Sequence, residues 1–323
     1  MSFGPMTLDQ AKGGVLAHSL STPDGRIRKG SRIDGPVLRR LRAAGYQEVV
    51  AGLPEDGDVP EDAAAALVAA ALVADGIEAR APFTGRCNLH ATGPGVLDVS
   101  RPKIDALNRL TDDVTVATLP EWQRVTAGMM VATVKIISFF ANEHAFADRL
   151  EAAEGALRLH RPVIDLAELI VTKLDGAPEK TAPVLARLDR LGIAHHVTEV
   201  PHETGALTTA LERGQAPLRL ILTASATCDP RDVGPAALVA AGGMLTRFGM
   251  PVDPGNLLFL GDLGPAKVIG LPGCARSPAL NGADWVLERI ACGLEVSHAD
   301  IAGMGVGGLL NEIPTRPQPR EKR

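Results

Sequence analysis

A chain of 323 residues is long enough for about two domains, and a formal net charge of −5 argues against a general nucleic-acid or membrane surface. Hydrophobic residues make up 46% of the chain but aromatic residues only 3%, so Ala, Val and Leu must fill the cores. The four cysteines lack Cys-x-x-Cys spacing, and neither a secretory leader nor a long apolar span is visible, so a reducing, cytoplasmic location without zinc or disulfides is expected.

The first half of the chain predicts a mixed α/β region, which we assign to residues 1–162. Strands are expected at 13–20, 46–53, 114–119 and 129–139, and helices at 36–44, 63–73, 102–110 and 145–159. Asp34 is the predicted N-cap of the first helix, and Gly45 its end. A metal site at Cys87 and His90 is the alternative to a packed cysteine and a hydrogen-bonded histidine, but two ligands are too few for such a site.

Strands and helices alternate from residue 163 onward, which predicts a mostly parallel sheet with helices on both faces. Strands are expected at 163–174, 193–200 and 218–222 and again from Lys267, with helices at 181–191 and 206–213, from Pro235 and up to Gly293. Residues 247–264 predict a turn-linked, hairpin-like segment. We therefore assign the chain to the α/β class, with a second domain at 163–310 and a flexible tail at 311–323.

Two loops in the second half share one design, since each follows a short apolar strand and leads into a helix. In an open parallel sheet, ligands bind beyond the carboxyl ends of the strands, and a helix start favours an anion. We interpret the two loops as one composite site for a phosphorylated small molecule. The candidate residues are Thr223, Ser225, Thr227, Asp229, Arg231 and Asp232 in the first loop and Pro272, Gly273, Cys274, Arg276 and Ser277 in the second.

Each of these residues also has a purely structural explanation. Asp232 could cap the following helix, and Arg231 could pair with a nearby carboxylate. Cys274 could be a small side chain that fits a tight turn. Two polar loops of the same design, with an arginine in each, favour a binding site over these structural explanations.

The two loops also carry a family resemblance. Residues 223–227 read Thr-Ala-Ser-Ala-Thr and are followed by Arg231-Asp232, while residues 272–275 read Pro-Gly-Cys-Ala. These runs resemble the Thr-Gly-Gly-Thr-Gly, Arg-Asp and Pro-Gly-Asn-Pro elements of the molybdopterin-binding domain shared by molybdopterin adenylyltransferases, molybdopterin molybdenumtransferases and gephyrin. The runs FGMPVDPGNLLFLGD, PGCARSPALNGADWVLERIACG and MGVGGLLNEIPTRPQPR are similar to a narrower group, in which a molybdopterin-binding protein precedes a molybdenum cofactor nucleotidyltransferase.

The resemblance implies a protein that binds molybdopterin or the molybdenum cofactor and holds or delivers it during cofactor biosynthesis. The ligand phosphate would lie on backbone N–H groups around Ser225, with Arg231 or Arg276 neutralising its charge. Asp229 and Asp232 would meet the pterin edge or position the arginines. The implied partners are a molybdenum cofactor nucleotidyltransferase, a molybdoenzyme chaperone or a second copy of the chain.

An enzyme of the same superfamily is the alternative. It would adenylate molybdopterin or insert molybdate, with Glu203 and Asp232 as catalytic residues and Mg²⁺ with a nucleotide held by Glu203 and Asp175 or Asp229. Ala224, Ser225 and Thr227 replace the family glycines, and His202-Glu203 stands where the family has paired aspartates. A protein–protein role through Ala-rich faces is the third alternative.

Overall fold

The computed structural model describes residues 1–174 and 180–310, without the side chains of residues 148 and 149. The chain divides into two compact units. The first unit holds Met1–Gly93 and Leu97–Leu159, and the second holds Pro94–Val96 and continues from His160. Asp175 and the predicted tail lie outside the described residues. Among the described helices, none combines the length and the hydropathy that crossing a bilayer requires.

The chain up to His160 forms small sheets and four described helices. Its strands are β1 (Ser2–Thr7), β2 (Val15–Leu16), β3 (Leu20–Thr22), β4 (Gly25–Ile27), β5 (Glu48–Leu53), β6 (Asp58–Pro60), β7 (Ile77–Ala79), β8 (Arg86–Ala91), β9 (Gly95–Val99), β10 (Val114–Thr118), β11 (Gln123–Val125), β12 (Met130–Ile136), β13 (Phe140–Asn142) and β14 (Leu157–His160). Its helices are α1 (Gly35–Ala43), α2 (Glu61–Leu72), α3 (Arg101–Asn108) and α4 (Glu143–Ala153).

The first unit has two cores. The larger core packs the Ala-rich face of α2 against the sheet β10-β12-β8-β7, and the smaller core lies between α1 and the sheet β1-β5-β2. The predicted first helix and its cap are confirmed, because Asp34 Oδ1 accepts a hydrogen bond from Val37 N at 3.0 Å. Cys87 is buried in the larger core, as a packed cysteine would be.

Two predicted strands of the first unit were wrong. Residues 13–20 hold only the two-residue β2 and the first residue of β3, and residues 129–139 do not form one strand. The helix expected at 145–159 ends at Ala153, and β14 begins at Leu157.

Residues 129–139 were expected to form a single strand, but the structure ends β12 at Ile136 and begins β13 at Phe140. Ile137 N donates to Asp113 O at 2.8 Å, and Ser138 Oγ donates to Phe140 O at 2.6 Å, so the chain turns between the two strands. The continuous apolar composition of this run conceals the break, because composition alone does not record hydrogen-bond partners.

The second unit is built on one six-stranded sheet. Its strands are β15 (Leu166–Lys173), β16 (Ala194–Pro201), β17 (Leu218–Leu222), β18 (Met244–Phe248), β19 (Phe259–Leu263) and β20 (Ala266–Gly270), in the order β16-β15-β17-β20-β19-β18. The helices are α5 (Ala182–Leu191), α6 (Thr204–Arg213), α7 (Val233–Ala240), α8 (Gly282–Ala291) and α9 (His298–Gly303), with a 3-10 helix at Gly273–Arg276.

The α/β fold class is confirmed, because the first four strands in this order run parallel. The expected hairpin-like segment corresponds to β18 and β19, which pair antiparallel and add an antiparallel edge to the sheet. The predicted strand at 218–222 is β17 without a shift, and Gly192, with a φ of 71°, ends α5 in the left-handed conformation that favours glycine. The strand predicted at 163–174 begins three residues later.

Alternation along the buried strands places helices on both faces of this sheet. Leu169 and Val171 of β15 belong to a core with residues of α5, α8 and α9, whereas Ile170 belongs to a core with residues of α6 and α7. The helices that follow β15 and β20 therefore lie on one face, and the helix that follows β17, the strand between them, lies on the other. Adjacent connections that leave a parallel sheet in opposite directions open a crevice at the carboxyl ends of the strands.

Candidate functional site

An open hollow of about 640 Å³ lies at this carboxyl edge. We call it the edge hollow; its lining residues are Lys180, Ala224, Gly273, Cys274, Arg276, Ser277 and Pro278. Three adjacent parallel strands contribute to it, because Lys180 lies between β15 and α5, Ala224 follows β17, and the others follow β20. The edge hollow therefore occupies the place where α/β proteins bind ligands.

The edge hollow is cationic. Lys180 is exposed and Arg276 is partly buried, and none of the described lining residues is acidic. Arg276 Nη2 donates to Thr223 O at 2.8 Å, which ties the loop after β20 to the end of β17 and fixes one edge of the guanidinium group. A local pair of cations in a chain with a net charge of −5 indicates an anionic ligand.

A buried hydroxyl group of β15 holds the loop after β17 in place. Thr172 Oγ1, at the end of β15, accepts a hydrogen bond from Ala224 N at 2.9 Å and lies 2.8 Å from His202 Nδ1. One buried hydroxyl therefore connects the carboxyl ends of β15, β16 and β17.

The polar residues predicted in this loop divide into two groups. Thr223 and Thr227 are buried, and Thr223 Oγ1 donates to Ser225 O at 2.7 Å, so both threonines shape the turn. Ser225 is exposed. Within the described part of the chain, no hydrogen bond leaves the backbone N–H groups of Ser225, Ala226 or Thr227. These N–H groups can donate to an anion.

Seven of the eleven residues predicted in the two loops lie outside the lining of the edge hollow, namely Thr223, Ser225, Thr227, Asp229, Arg231, Asp232 and Pro272. Asp232 is the N-cap of α7, where its Oδ1 accepts from Val233 N at 2.8 Å. Arg231 has a side chain that is 90% exposed and pairs with Asp229 through Nε–Oδ1 at 2.8 Å and Nη2–Oδ2 at 2.9 Å. The structure thus brings Gly273, Cys274, Arg276 and Ser277 together with Lys180, while the Arg231–Asp229 pair faces solvent.

The Arg231–Asp229 pair gives a pH-dependent prediction. Hydrogen bonds from the Arg231 side chain, together with the one from its backbone N–H at 2.8 Å, lower the pKa of the Asp229 carboxyl to about 2. Because the pKa is depressed in the folded state, any stabilisation by the pair is complete above about pH 4 and is lost as the pH falls through 2. An NMR titration of the Asp229 carboxyl carbon should show this low midpoint, and Arg231→Ala should raise it toward the ordinary value of about 3.9 without reaching it, because the backbone N–H of residue 231 still donates to Asp229 Oδ1. An unchanged midpoint in the variant would contradict the pairing.

The residues predicted for Mg²⁺ and catalysis do not form a cluster in the described part of the chain. Glu203 is exposed at the N-cap of α6 without a side-chain capping bond, Asp232 caps α7, and Asp175 lies outside the described residues. No group of three or more His, Cys, Asp or Glu residues placed to hold a metal occurs among the described side chains. The Mg²⁺ site therefore stays a prediction.

A buried arginine that the sequence analysis missed supports the loop after β20. Arg187 of α5 has a side chain that is 3% exposed, and its Nε lies 2.6 Å from Asp284 Oδ1 of α8. Its Nη1 also donates to Ala275 O at 2.9 Å, and its Nη2 donates to Ser277 O and Ala279 O, both at 3.0 Å. One guanidinium group therefore fixes three carbonyls of the loop that lines the edge hollow.

Asn281 extends this support to Cys274. Asn281 is buried and caps α8, with Asp284 completing a capping box, and its Nδ2 donates to Cys274 Sγ at 3.0 Å. Two sequence signals could have revealed this network. Arg187 falls on the apolar face of α5 between Val184 and Leu188, where a charge needs a partner, and Asn-x-x-Asp before an apolar run is a capping pattern.

Comparisons with known proteins add little to this geometry. No family model matches the sequence, and no curated protein matches it. A solved structure of a molybdopterin biosynthesis MoeA protein from Pyrococcus horikosii is similar at a TM-score of 0.32 and 12% identity, covering 91% of this chain and 76% of that chain. At this TM-score and identity, the similarity does not decide between functions.

Proposed function

We propose that this chain binds molybdopterin, or the molybdenum cofactor formed from it, with the phosphate group of the ligand in the edge hollow. The observation that carries the proposal is the pair Lys180 and Arg276, which lines a hollow at the carboxyl ends of three adjacent parallel strands. The choice of a pterin among phosphorylated ligands rests on the resemblance of the loop sequences.

Arg276 is the proposed anchor for the phosphate. A guanidinium group can form two parallel hydrogen bonds to a phosphate, and charge-assisted bonds of this type are about twice as strong as neutral ones. The bond from Arg276 Nη2 to Thr223 O limits the rotation of the side chain, so less entropy is lost on binding. Lys180 adds a second positive charge without a fixed direction.

The supporting residues explain why the edge hollow would be pre-formed. The Arg187–Asp284 pair holds the loop after β20, and the Thr172 hydroxyl holds the loop after β17. A site on loops that are anchored to buried groups keeps its geometry before the ligand arrives. The proposed role is to hold the cofactor and deliver it to a molybdenum cofactor nucleotidyltransferase.

Anaerobic calorimetric titration with molybdopterin tests the proposal. We expect saturable binding by the native chain and a 10- to 100-fold weaker affinity in Arg276→Ala, since a hydrogen bond to a charged group contributes about 1.5–3 kcal/mol. Lys180→Ala should weaken binding by less. The matched control is Arg231→Ala, whose arginine is exposed and lies outside the lining, and it should stay within about twofold.

Two outcomes would contradict the proposal. One is the absence of saturable binding by the native chain, and the other is an equal loss of affinity in Arg231→Ala and Arg276→Ala. Glycerol 3-phosphate separates the two parts of the proposal. If it binds as tightly as molybdopterin, the edge hollow recognises phosphate alone and the pterin assignment fails.

A product assay distinguishes delivery from catalysis. The native chain, molybdopterin and MgATP are incubated together, and the pterin is then analysed by mass spectrometry. The holding role requires recovery of the unmodified ligand, whereas the adenylyltransferase alternative requires an adenylylated product. Formation of that product would overturn the holding role without affecting the placement of the phosphate.

A further inference from the structure

The outermost strand of the six-stranded sheet has an unpaired edge. β16 stands at the end of the strand order, and among the described residues it pairs only with β15. An edge strand presents a row of N–H and C=O groups that can pair with another strand, so proteins protect such edges with short strands, bulges, lysines or prolines. β16 is eight residues long, keeps an unbroken register with β15, contains no lysine and has its single proline at its last position. Its outer edge is therefore suited to pairing.

Two backbone hydrogen bonds show which groups of β16 face outward. Ala194 N donates to Asp165 O and His202 N donates to Lys173 O, both at 2.9 Å and both toward β15. Because backbone direction alternates along a strand, the even-numbered residues of β16 pair with β15 and the odd-numbered residues point away from it. The outward residues are His195, Val197, Glu199 and Pro201. Within the described part of the chain, no strand pairs with this side of β16.

The side chains along this edge are accessible. Val197 is 40% exposed, and the side chain of Glu199 is 53% exposed. A strand that paired here would cover Val197 and so would add apolar burial to the backbone hydrogen bonds. Both contributions favour a partner strand over water.

One antiparallel register makes β16 complementary to a second copy of itself. A two-fold axis at Val197 sets that residue opposite its own counterpart and sets His195 opposite Glu199 of the other copy. All three residues have outward N–H and C=O groups, so each opposite pair exchanges two bonds and the interface contains about six backbone hydrogen bonds. Valine opposite valine and imidazole opposite carboxylate are favourable cross-strand pairs.

The neighbouring registers fit less well. A shift of two residues in one direction sets Pro201, which has no N–H group, opposite His195 and sets Glu199 opposite Val197. A shift of two residues in the other direction sets Glu199 opposite Ile193, which is buried in the core of its own chain. A larger shift in the first direction sets Glu199 opposite Glu199, and like charges directly opposite each other are destabilising. Hydrogen bonding and charge therefore select the register centred on Val197.

The charged groups around this register also alternate in sign. Asp189 Oδ1 lies 3.7 Å from His195 Nδ1, and Lys173 forms an ion pair with Glu199. Across the interface, the row consists of Asp189 and His195 from one copy and Glu199 and Lys173 from the other. Each carboxylate in this row has an N–H donor beside it, which favours a second copy as the partner.

We propose that β16 is a dimerisation edge, at which a second copy of this chain adds its own β16 in antiparallel orientation about a two-fold axis at Val197. The two sheets then form one continuous sheet. The occupant is a second copy, because one sequence supplies the donors, the acceptors and the opposite charges on both sides. The proposal is independent of the edge hollow, so either can fail without the other.

Sedimentation velocity on the full-length chain, from about 1 μM to about 500 μM, tests the proposal. We expect reversible dimerisation with a dissociation constant on the order of 10–100 μM, because the interface is small and consists largely of hydrogen bonds. Val197→Pro removes the central donor and should abolish the dimer, while the outward position of its lost N–H group keeps the pairing with β15. The matched control is Val197→Thr, which keeps the N–H group and the strand propensity and should stay within about tenfold.

A second variant keeps the test decisive if Val197→Pro disturbs the fold. Val197→Lys sets two ammonium groups opposite each other on the axis and should weaken the dimer at least about tenfold. Hydrogen exchange followed by NMR then identifies the edge. The outward amides of His195, Val197 and Glu199 should exchange more slowly as the protein concentration rises, whereas those of His196 and Thr198 should be protected at every concentration.

Three results would overturn the proposal. The first is a chain that stays monomeric at about 500 μM, which would leave this edge to a strand of a different protein. The second is a dimer that persists in both Val197→Pro and Val197→Lys, because it would use another surface. The third is exchange of the three outward amides at a rate that does not depend on protein concentration.

Discussion

Replacing Arg187 with Met should lower the free energy of unfolding of the second unit by about 3–5 kcal/mol, the usual cost of breaking a buried ion pair. Arg187→Met keeps the apolar stem but leaves Asp284 buried without its charge partner. It also removes the donors to Ala275 O, Ser277 O and Ala279 O. Chemical denaturation followed by circular dichroism measures the loss, and molybdopterin affinity should fall in the same variant.

The matched control is Arg190→Ala, an exposed arginine on the same helix, which should change stability by less than about 0.5 kcal/mol. The double variant Arg187→Met with Asp284→Asn should lose less than the sum of its single variants, since both charges are then absent. Additive losses would show that the two residues act independently and would contradict the pairing.

Replacing Gly270 with Ala should destabilise the second unit by about 3 kcal/mol. A Cβ at this position would lie 1.8 Å from Cε1 of Phe259, its cross-strand partner in the β19–β20 hairpin. Phe259 is 1% exposed, and a Cβ on Gly234 of α7 would also meet its ring, at 2.9 Å. Two glycines therefore make the space in which this ring packs. Thermal and chemical denaturation should both show the loss.

The contrasting variant is Gly205→Ala. Gly205 lies in the first turn of α6, and no atom lies within 4 Å of a Cβ built there, so the change should leave stability equal or slightly higher. Phe259→Ala alone should cost about 3–5 kcal/mol, but combined with Gly270→Ala it should cost much less than the sum, because the clash is gone. If Gly270→Ala is as stable as the native chain, the packing of Phe259 described above is wrong.

The sequence predicted the parts of the fold that depend on local patterns. Buried parallel strands appear as short apolar runs, so β17 was placed correctly, and Gly192 marked the end of α5. The loops after β17 and β20 were predicted to meet, because connections in a parallel α/β sheet bring the carboxyl ends of neighbouring strands together. In the structure, Arg276 of one loop donates to the carbonyl of Thr223, at the start of the other.

Which side chains line the edge hollow depends on the direction in which each one points. The spacing of residues along the sequence does not determine that direction. Arg231 and Arg276 were equivalent candidates in the sequence, yet a carboxylate two residues before Arg231 holds it in solvent. Lys180 was not a candidate, because it follows a strand whose loop had suggested only a metal ligand at Asp175. The role of Arg187 depends on a partner that is 97 residues away in sequence, so no local window contains both members of the pair.

The lining of the edge hollow comes from residues 180, 224 and 273–278, and the groups that fix its last loop extend to Asp284. A ribosome must therefore synthesise the chain as far as Asp284 before the lining and its supporting ion pair are complete. Chains released early would contain β15 and β17 with their helices but would lack the arginine proposed to anchor the phosphate. The proposed capture of the cofactor would accordingly require synthesis past β20, and fragments that end before β20 should not compete with the finished chain for the ligand.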